Sequence, residues 1–204
     1  MARGYKQKRR AERQEETRQR IVEATVNLHG TVGMARTTVT QIAERAGVGR
    51  QTFYRHFPDE LALGQACSGL YWERNPLPDP EPWRAVTDPR ERLEMALRES
   101  YAYHRQTEAM ISLAFTDAAD SPIMAPYHDH WRRAANVVAS AWRVRGRERL
   151  LLRAAIGHAI AFPTWHSLVR DQGLTDPQAV ELMHRLTCDC RDTSRGGSSS
   201  SPSR

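Results

Sequence analysis

Residues 37–58 read TTVTQIAERAGVGRQTFYRHFP, and this stretch predicts two short helices joined by a glycine-containing turn. Thr38 and Gln41 have capping-box spacing: the threonine hydroxyl can accept from the amide of Gln41 while the glutamine side chain reaches back. The GVG sequence at 47–49 supplies the positive φ angle that a tight turn needs. Apolar positions of the two helices can face each other, so the stretch predicts a helix-turn-helix.

The second of these helices carries hydrogen-bonding and cationic side chains outside its apolar pair, with no acid among them. Arg can bridge guanine O6 and N7, Gln can bridge adenine N6 and N7, and a Thr methyl can contact a thymine methyl. Tyr and His suit phosphates or base edges, and the start of the first helix suits a phosphate oxygen. A solvated face of an ordinary helical bundle is the alternative. The DNA-binding residues predicted here are Thr38, Thr40, Arg50, Gln51, Thr52, Tyr54 and His56.

The positive charge of the chain is concentrated at its N-terminus. The 204 residues carry a formal net charge of +6, and the first 20 hold eight Lys or Arg against three Glu. Residues 1–16 lack apolar periodicity, which predicts a basic flexible arm whose Arg9 and Arg10 can enter a DNA minor groove. A merely solubilising tail is the alternative. The Ser- and Gly-rich residues 191–204 are predicted to be a disordered tail.

The rest of the chain shows apolar residues at helical spacing and no alternating strand pattern, so the predicted fold class is all-α. A helix is expected to begin at Thr17. The five prolines of residues 75–89 predict an extended connection. The long apolar helix that starts near Arg147 is expected to kink at Pro163, because proline removes an amide donor and crowds the preceding turn.

The sequence resembles the TetR family of bacterial transcription regulators over about its first third. Residues 21–33 correspond to the first helix, 37–43 to the second, 46–49 to the turn, and 52–58 to the recognition helix and its exit. The family commonly has a Lys just after the recognition helix, where this chain has Glu60.

This resemblance implies an N-terminal three-helix DNA-binding domain over 17–65 and a helical ligand-binding and dimerisation domain over 66–190. It also implies a homodimeric repressor that a small-molecule effector, not identified by the sequence, releases from a palindromic double-stranded DNA operator. We expect no catalytic residue, no cofactor and no metal. An architectural DNA-binding protein without an effector is the main alternative, and a helical enzyme is a weaker one.

The central helices are expected to enclose a pocket for this small molecule, with aromatic walls and a few polar tips. Each aromatic residue can alternatively be an ordinary part of the core. The predicted pocket residues are Tyr101, His104, Phe115, Trp131, Phe162, Trp165 and His166.

The two C-terminal helices carry an apolar stripe, and the resemblance implies that they pair with their symmetry mates in a four-helix bundle. Burial of the whole stripe in the monomer core is the alternative. The predicted dimer residues are Leu152, Ile156, Ile160, Leu182, Met183 and Leu186.

Paired metal ligands and membrane segments are not expected. His128 and His130, like Cys188 and Cys190, are two residues apart, and on a helix such side chains point about 200° apart and cannot share one ion. No apolar run approaches the roughly 18 residues that cross a bilayer, and the basic N-terminus has no apolar segment behind it. We therefore expect a cytoplasmic protein with no membrane partner.

Overall fold

The computed structural model describes residues 2–189, and the side chains of residues 5–188. Within that range the chain is helical and has no strand, which confirms the all-α fold class. The predicted tail 191–204 and Cys190 lie outside the described residues. The α-helices are α1 Ala2–Val32, α2 Val39–Ala46, α3 Arg50–His56, α4 Glu60–Arg74, α5 Pro89–Ala118, α6 Ala125–Ala139, α7 Gly146–Ala159, α8 Phe162–His166 and α9 Asp176–Asp189.

The described helices belong to two compact units. Among the described residues, the first unit contains the chain up to Pro76 together with Thr107–Ala125, and the second contains Leu77–Gln106 and the chain from Pro126 onwards. The division at Pro76 falls within the proline-rich connection. It differs from the predicted domains 17–65 and 66–190, because the last part of α5 belongs to the first unit.

Helix α1 begins at Ala2, so the prediction of a flexible arm over residues 1–16 with a helix from Thr17 is wrong for the described residues. The segment lacks an apolar stripe, but its Ala, Arg, Lys, Gln and Glu residues have high helix propensity. They form one continuous helix with the segment that carries the buried residues Ile21, Val22 and Leu28. The positive charge is therefore carried on a helix.

The helix-turn-helix forms as the local signals predict. Thr38 caps α2, and the reciprocal capping box with Gln41 is complete. Gly47 ends the helix in the left-handed conformation, with φ of 64°, and its N–H bonds back to Ala43 and Glu44. Asp59 caps α4 by accepting from the amide of Ala62. In this unit α1 packs against α2 and α4, and α2 packs against α3.

The second unit contains an interruption that is larger than the predicted kink. Helix α7 ends at Ala159, Ala161 is extended, and α8 begins at Phe162. Pro163 has no N–H to donate to the carbonyl of Ala159, which would be its helical partner. A π-helical turn over Ser167–Asp171 follows α8, and α9 begins after a second capping pair, Thr175 with Gln178.

None of the described helices combines the length and the hydropathy that are needed to cross a bilayer.

Candidate nucleic-acid interface and ligand site

Helix α3 separates an apolar side from a polar one. Phe53 and, at the C-terminal cap, Phe57 are buried in the core of the first unit. Four polar side chains of α3 are exposed, while two others, Thr52 and His56, are half-buried. The exposed ones are Arg50, Gln51, Tyr54 and Arg55.

His56 differs electrostatically from its cationic neighbours. Its Nε2 atom is buried and has no hydrogen-bond partner within the described part of the chain. Burial, and secondarily the nearby charges of Arg55 and Arg18, lower the pKa of His56 below its usual value. The imidazole is therefore neutral at physiological pH, and it adds hydrogen-bonding capacity rather than charge to this helix.

Two arginines of α1 lie next to the helix-turn-helix, and the sequence analysis did not single them out. The guanidinium carbon of Arg18 lies 5.1 Å from the ring centroid of Phe57, at the exit of α3. Arg20 donates from Nη1 to the carbonyl of Ala46 over 3.0 Å, at the turn. For Arg18 the available signal was its spacing, because it lies one helical turn before the buried Ile21.

The other predicted DNA contacts are also at the surface. Thr38 and Thr40 are exposed, although the Thr38 hydroxyl accepts from Gln41 N over 3.3 Å within the capping box. Arg9 and Arg10 are exposed on α1. Glu60 is exposed in the first turn of α4, where an acid interacts favourably with the helix dipole. This position gives a structural reason for an acid in place of the family's lysine.

The predicted pocket residues of the second unit form a closed aromatic cluster. His104, which is 0% exposed, lies at its centre, with ring centroids at 4.9 Å from Trp131, 5.5 Å from Phe162 and 5.9 Å from Trp165. Tyr101 is equally buried, and its hydroxyl donates over 2.9 Å to the carbonyl of Ala159. That carbonyl is the one that Pro163 leaves without a helical donor.

The two other predicted pocket residues, His166 and Phe115, are less buried. His166 is half-buried at the edge of the cluster, with its ring 5.6 Å from that of Phe162. Phe115 is half-buried and belongs to the first unit. Two further residues of the cluster were not predicted from the sequence: Tyr103 and Tyr127 are buried and contact His104 and Trp131 respectively. Tyr127 could have been found, because it lies one helical turn before Trp131.

The predicted dimer stripe divides into a buried and an exposed set. Four of its members are buried within the chain itself, which corrects their prediction as interface residues: Leu152, Ile156, Ile160 and Met183. Leu182 and Leu186 of α9 are exposed, and so are Leu150 and Leu151 of α7, which the sequence analysis missed. Helices α7 and α9 pack against each other. We call these four exposed leucines the apolar face.

Comparisons with known proteins agree with these geometries. Residues 21–67 match the sequence profile described as "Bacterial regulatory proteins, tetR family". The regulator TtgR of Pseudomonas putida is 44% identical over 59 residues, which span 29% of this chain and only 28% of TtgR.

Solved structures resemble the chain over most of its length. A TetR-family transcriptional regulator from Mesorhizobium loti superposes with a TM-score of 0.57 at 15% identity, covering 89% of this chain and 98% of that one. EbrR, described as a multidrug binding protein complexed with imidazole, has a TM-score of 0.53 at 22% identity and covers 83% and 88% of the two chains. At these identities the likeness shows a shared fold.

Proposed function

We propose that this chain, a member of the TetR family of bacterial regulatory proteins, is a DNA-binding transcriptional repressor that a small molecule releases from its operator. The observation that carries the proposal is the polar side of α3. It exposes Arg50, Gln51, Tyr54 and Arg55, while Phe53 and Phe57 anchor the helix in the core. A helix of this kind, held by a helix-turn-helix, suits the DNA major groove.

The exposed side chains of α3 have two proposed roles, contacts to base edges and contacts to phosphates. Arg50 and Gln51 have the donor geometry that reads guanine and adenine edges. Tyr54 and Arg55 suit phosphates, as do Arg18 and Arg20 beside the two ends of the helix. Thr38, Thr40, Thr52 and His56 are proposed as secondary contacts. The exposed Arg9 and Arg10 extend the positive surface along α1.

Two copies of α3 are needed to read a palindromic operator, and the apolar face supports a homodimer. Its leucines are between 37% and 57% exposed, and they come from two helices that pack against each other. Exposed leucines on two helices that pack against each other are the kind of apolar residue that an interaction surface uses. Pairing α7 and α9 with their symmetry mates gives a four-helix bundle, with half-sites about 34 Å apart on the duplex.

Ligand control is supported by the aromatic cluster, which combines large apolar rings with buried polar atoms. EbrR, which has the same fold, is described as a multidrug binding protein. A ligand that favours one conformation of the chain lowers DNA affinity by its differential affinity for the two states. Helix α5 is suited to this coupling because it carries Tyr101 and His104 and also contributes residues to the first unit.

The DNA-binding proposal is tested with the duplex that lies upstream of the protein's own gene, compared with a random duplex at physiological salt. Fluorescence anisotropy should report a preference for the upstream duplex. Gln51→Ala should reduce specific binding by roughly 1–3 kcal/mol, whereas Gln65→Ala, an exposed glutamine of α4, serves as the matched control. Equal affinity of the wild-type protein for both duplexes would contradict the proposal.

Salt titration distinguishes phosphate contacts of the basic N-terminal end of α1 from base contacts. The double variant Arg9→Ala, Arg10→Ala should weaken binding to both duplexes alike. It should also flatten the dependence of log K on log salt, by about 1 for each arginine that no longer neutralises a phosphate. A change in sequence preference instead would indicate base contacts from these residues.

A further inference from the structure

Two neighbouring aromatic rings in the core of the second unit each carry a buried nitrogen that has no hydrogen-bond partner among the described residues. These nitrogens are Nδ1 of His104 and Nε1 of Trp131, in rings whose centroids are 4.9 Å apart. Both side chains are more than nine-tenths buried. Leaving a polar atom buried and unpaired is unfavourable, so such pairs require an explanation, and a ligand or an ordered water is the usual one.

The hydrogen-bonding sense of each atom follows from its surroundings. Nε2 of His104 lies 2.9 Å from the carbonyl of Ile160, which can only accept, so Nε2 carries the proton. Burial lowers the pKa of His104 to about 4, which keeps the ring neutral at physiological pH. Nδ1 is therefore an acceptor, and the indole Nε1–H of Trp131 is a donor.

An acceptor and a donor on neighbouring rings are complementary to one hydroxyl group, which can donate to the first and accept from the second. The neighbouring rings of Tyr103, Phe162 and Trp165 are uncharged at physiological pH. A carboxylate or an ammonium placed among them would be buried without a counter-ion, which is strongly unfavourable.

The ion pair beside the cluster does not change this conclusion. The guanidinium of Arg105 lies over the ring of Trp165 and forms an ion pair with Asp176. Asp176 also accepts from Nε1 of Trp165 over 2.9 Å. The carboxylate is thus already matched by a cation and a donor, and the cluster as a whole presents a neutral, aromatic surface.

The rings that would have to move belong to a short element. Phe162 and Trp165 lie on α8, which has five residues and is bounded by the interruption after α7 and by the π-helical turn. π-helical turns occur frequently at functional sites. A shift of α8 can therefore admit a ring without unwinding a long helix.

We propose that His104 and Trp131 together recognise the hydroxyl group of a neutral aromatic compound, a phenol, held between the rings of this cluster. This inference rests on the proposed ligand-responsive function and names the chemical class of its effector.

The test uses four probes of similar size on the full-length protein: 4-methylphenol, toluene, benzoate and benzylammonium. Isothermal titration calorimetry should report that 4-methylphenol binds about tenfold more tightly than toluene, because two hydrogen bonds are added. The two ions should bind more weakly than 4-methylphenol. Equal binding of 4-methylphenol and toluene, or preferential binding of either ion, would overturn the inference.

Trp131→Phe provides the matched variant, because it keeps an aromatic ring and removes only the N–H donor and part of the ring volume. Affinity for 4-methylphenol should fall about fivefold while affinity for toluene is retained. An equal loss for both probes would contradict a specific role of the N–H. As an independent measurement on the wild-type protein, the ¹⁵N resonance of His104 Nδ1 should move on addition of 4-methylphenol and stay in place with toluene.

Operator binding distinguishes this inference from the function on which it rests. If 4-methylphenol does not bind but an ionic compound releases the protein from its upstream DNA, the phenol inference fails and the repressor proposal stands. If the protein has no preference for that DNA, the repressor proposal fails, whatever the binding of 4-methylphenol.

Discussion

His104 is the residue whose protonation depends most clearly on the fold. The folded chain holds its pKa at about 4, while an unfolded histidine titrates near about 6.5. As the pH falls, the unfolded chain therefore binds this proton first. The contribution of His104 to the free energy of unfolding is fully present above about pH 6.5 and is lost toward pH 4.

The expected loss from this one group is roughly 3 kcal/mol between pH 6.5 and pH 4, measured by urea unfolding. His104→Gln is the control, because the amide can still donate to the Ile160 carbonyl and does not titrate. Burial also lowers the pKa values of His29, His56 and His130, but these groups are common to both proteins and cancel in the difference. The same pH dependence in both proteins would refute the assignment.

Tyr101 has a structural role that is distinct from ligand recognition. Its hydroxyl satisfies the buried carbonyl of Ala159, to which Pro163 cannot donate. Tyr101→Phe should therefore lower the free energy of unfolding by about 1–3 kcal/mol, the usual result of leaving a buried acceptor unpaired. The neighbouring Ser100→Ala is the matched control. Ser100 Oγ is buried without a hydrogen-bond partner among residues 5–188, so the change should be near zero. Equal losses in chemical denaturation would contradict this role.

At the scale of elements, the turn between α2 and α3 depends on one backbone conformation. Gly47 has φ of 64°, a region that disfavours any residue with a Cβ. Gly47→Ala should lower the free energy of unfolding by about 1 kcal/mol. Gly69→Ala, in the exposed interior of α4 with open space around a Cβ, should instead raise it by about 0.5–1 kcal/mol. Thermal unfolding distinguishes them by the direction of the shift in Tm.

Local chemistry explains which elements could be predicted from the sequence. The ends of α2, α3 and α4 follow from Thr38, Gly47 and Asp59, whose capping and turn geometries need no distant partner. The N-terminal half of α1 was missed because charged residues of high helix propensity carry no apolar period. Pro163 indicated a disturbed helix, but the extent of the interruption depends on which side chains replace the missing hydrogen bonds.

Burial depends on the rest of the molecule and was therefore harder to predict. The apolar stripe of the last two helices is evident in the sequence. A stripe does not indicate, however, whether its residues are buried by the same chain or by a second subunit. Ile156 and Ile160 are covered by their own chain, whereas Leu182 and Leu186 are not. Likewise, Trp131, Phe162 and Trp165 could be predicted to share a site with His104. The orientation of the imidazole, however, required its distance to the Ile160 carbonyl.

At the scale of the whole molecule, the apolar face predicts the oligomeric state. The double variant Leu182→Glu, Leu186→Glu places two charges on this face and should convert a dimer into a monomer in sedimentation velocity. Leu61→Glu, at a similarly exposed leucine of α4, should leave the dimer intact. Operator affinity should fall together with dimerisation, because a monomer reads one half-site only. A dimer that survives the α9 changes would contradict this interface.

The coupling of ligand to DNA is expected to pass through α5. This helix carries Tyr101 and His104 in the second unit, and further along it carries Asp117 in the first unit. Oδ2 of Asp117 accepts from the amide of Ala35 over 3.0 Å, in the segment between α1 and α2. A Cβ on Gly33 would lie 2.6 Å from the same carboxylate oxygen, so this contact is close.

Asp117→Ala should therefore leave 4-methylphenol affinity unchanged and reduce its effect on operator affinity, by roughly 0.5–2 kcal/mol of coupling free energy. Asp120→Ala removes the same charge from an exposed position beyond the end of α5 and should behave as the wild type. Operator affinity is measured for all three proteins with and without 4-methylphenol. If Asp117→Ala keeps the full ligand effect, the bond from Ala35 to α5 is structural only, because coupling that passed through it could not survive its removal.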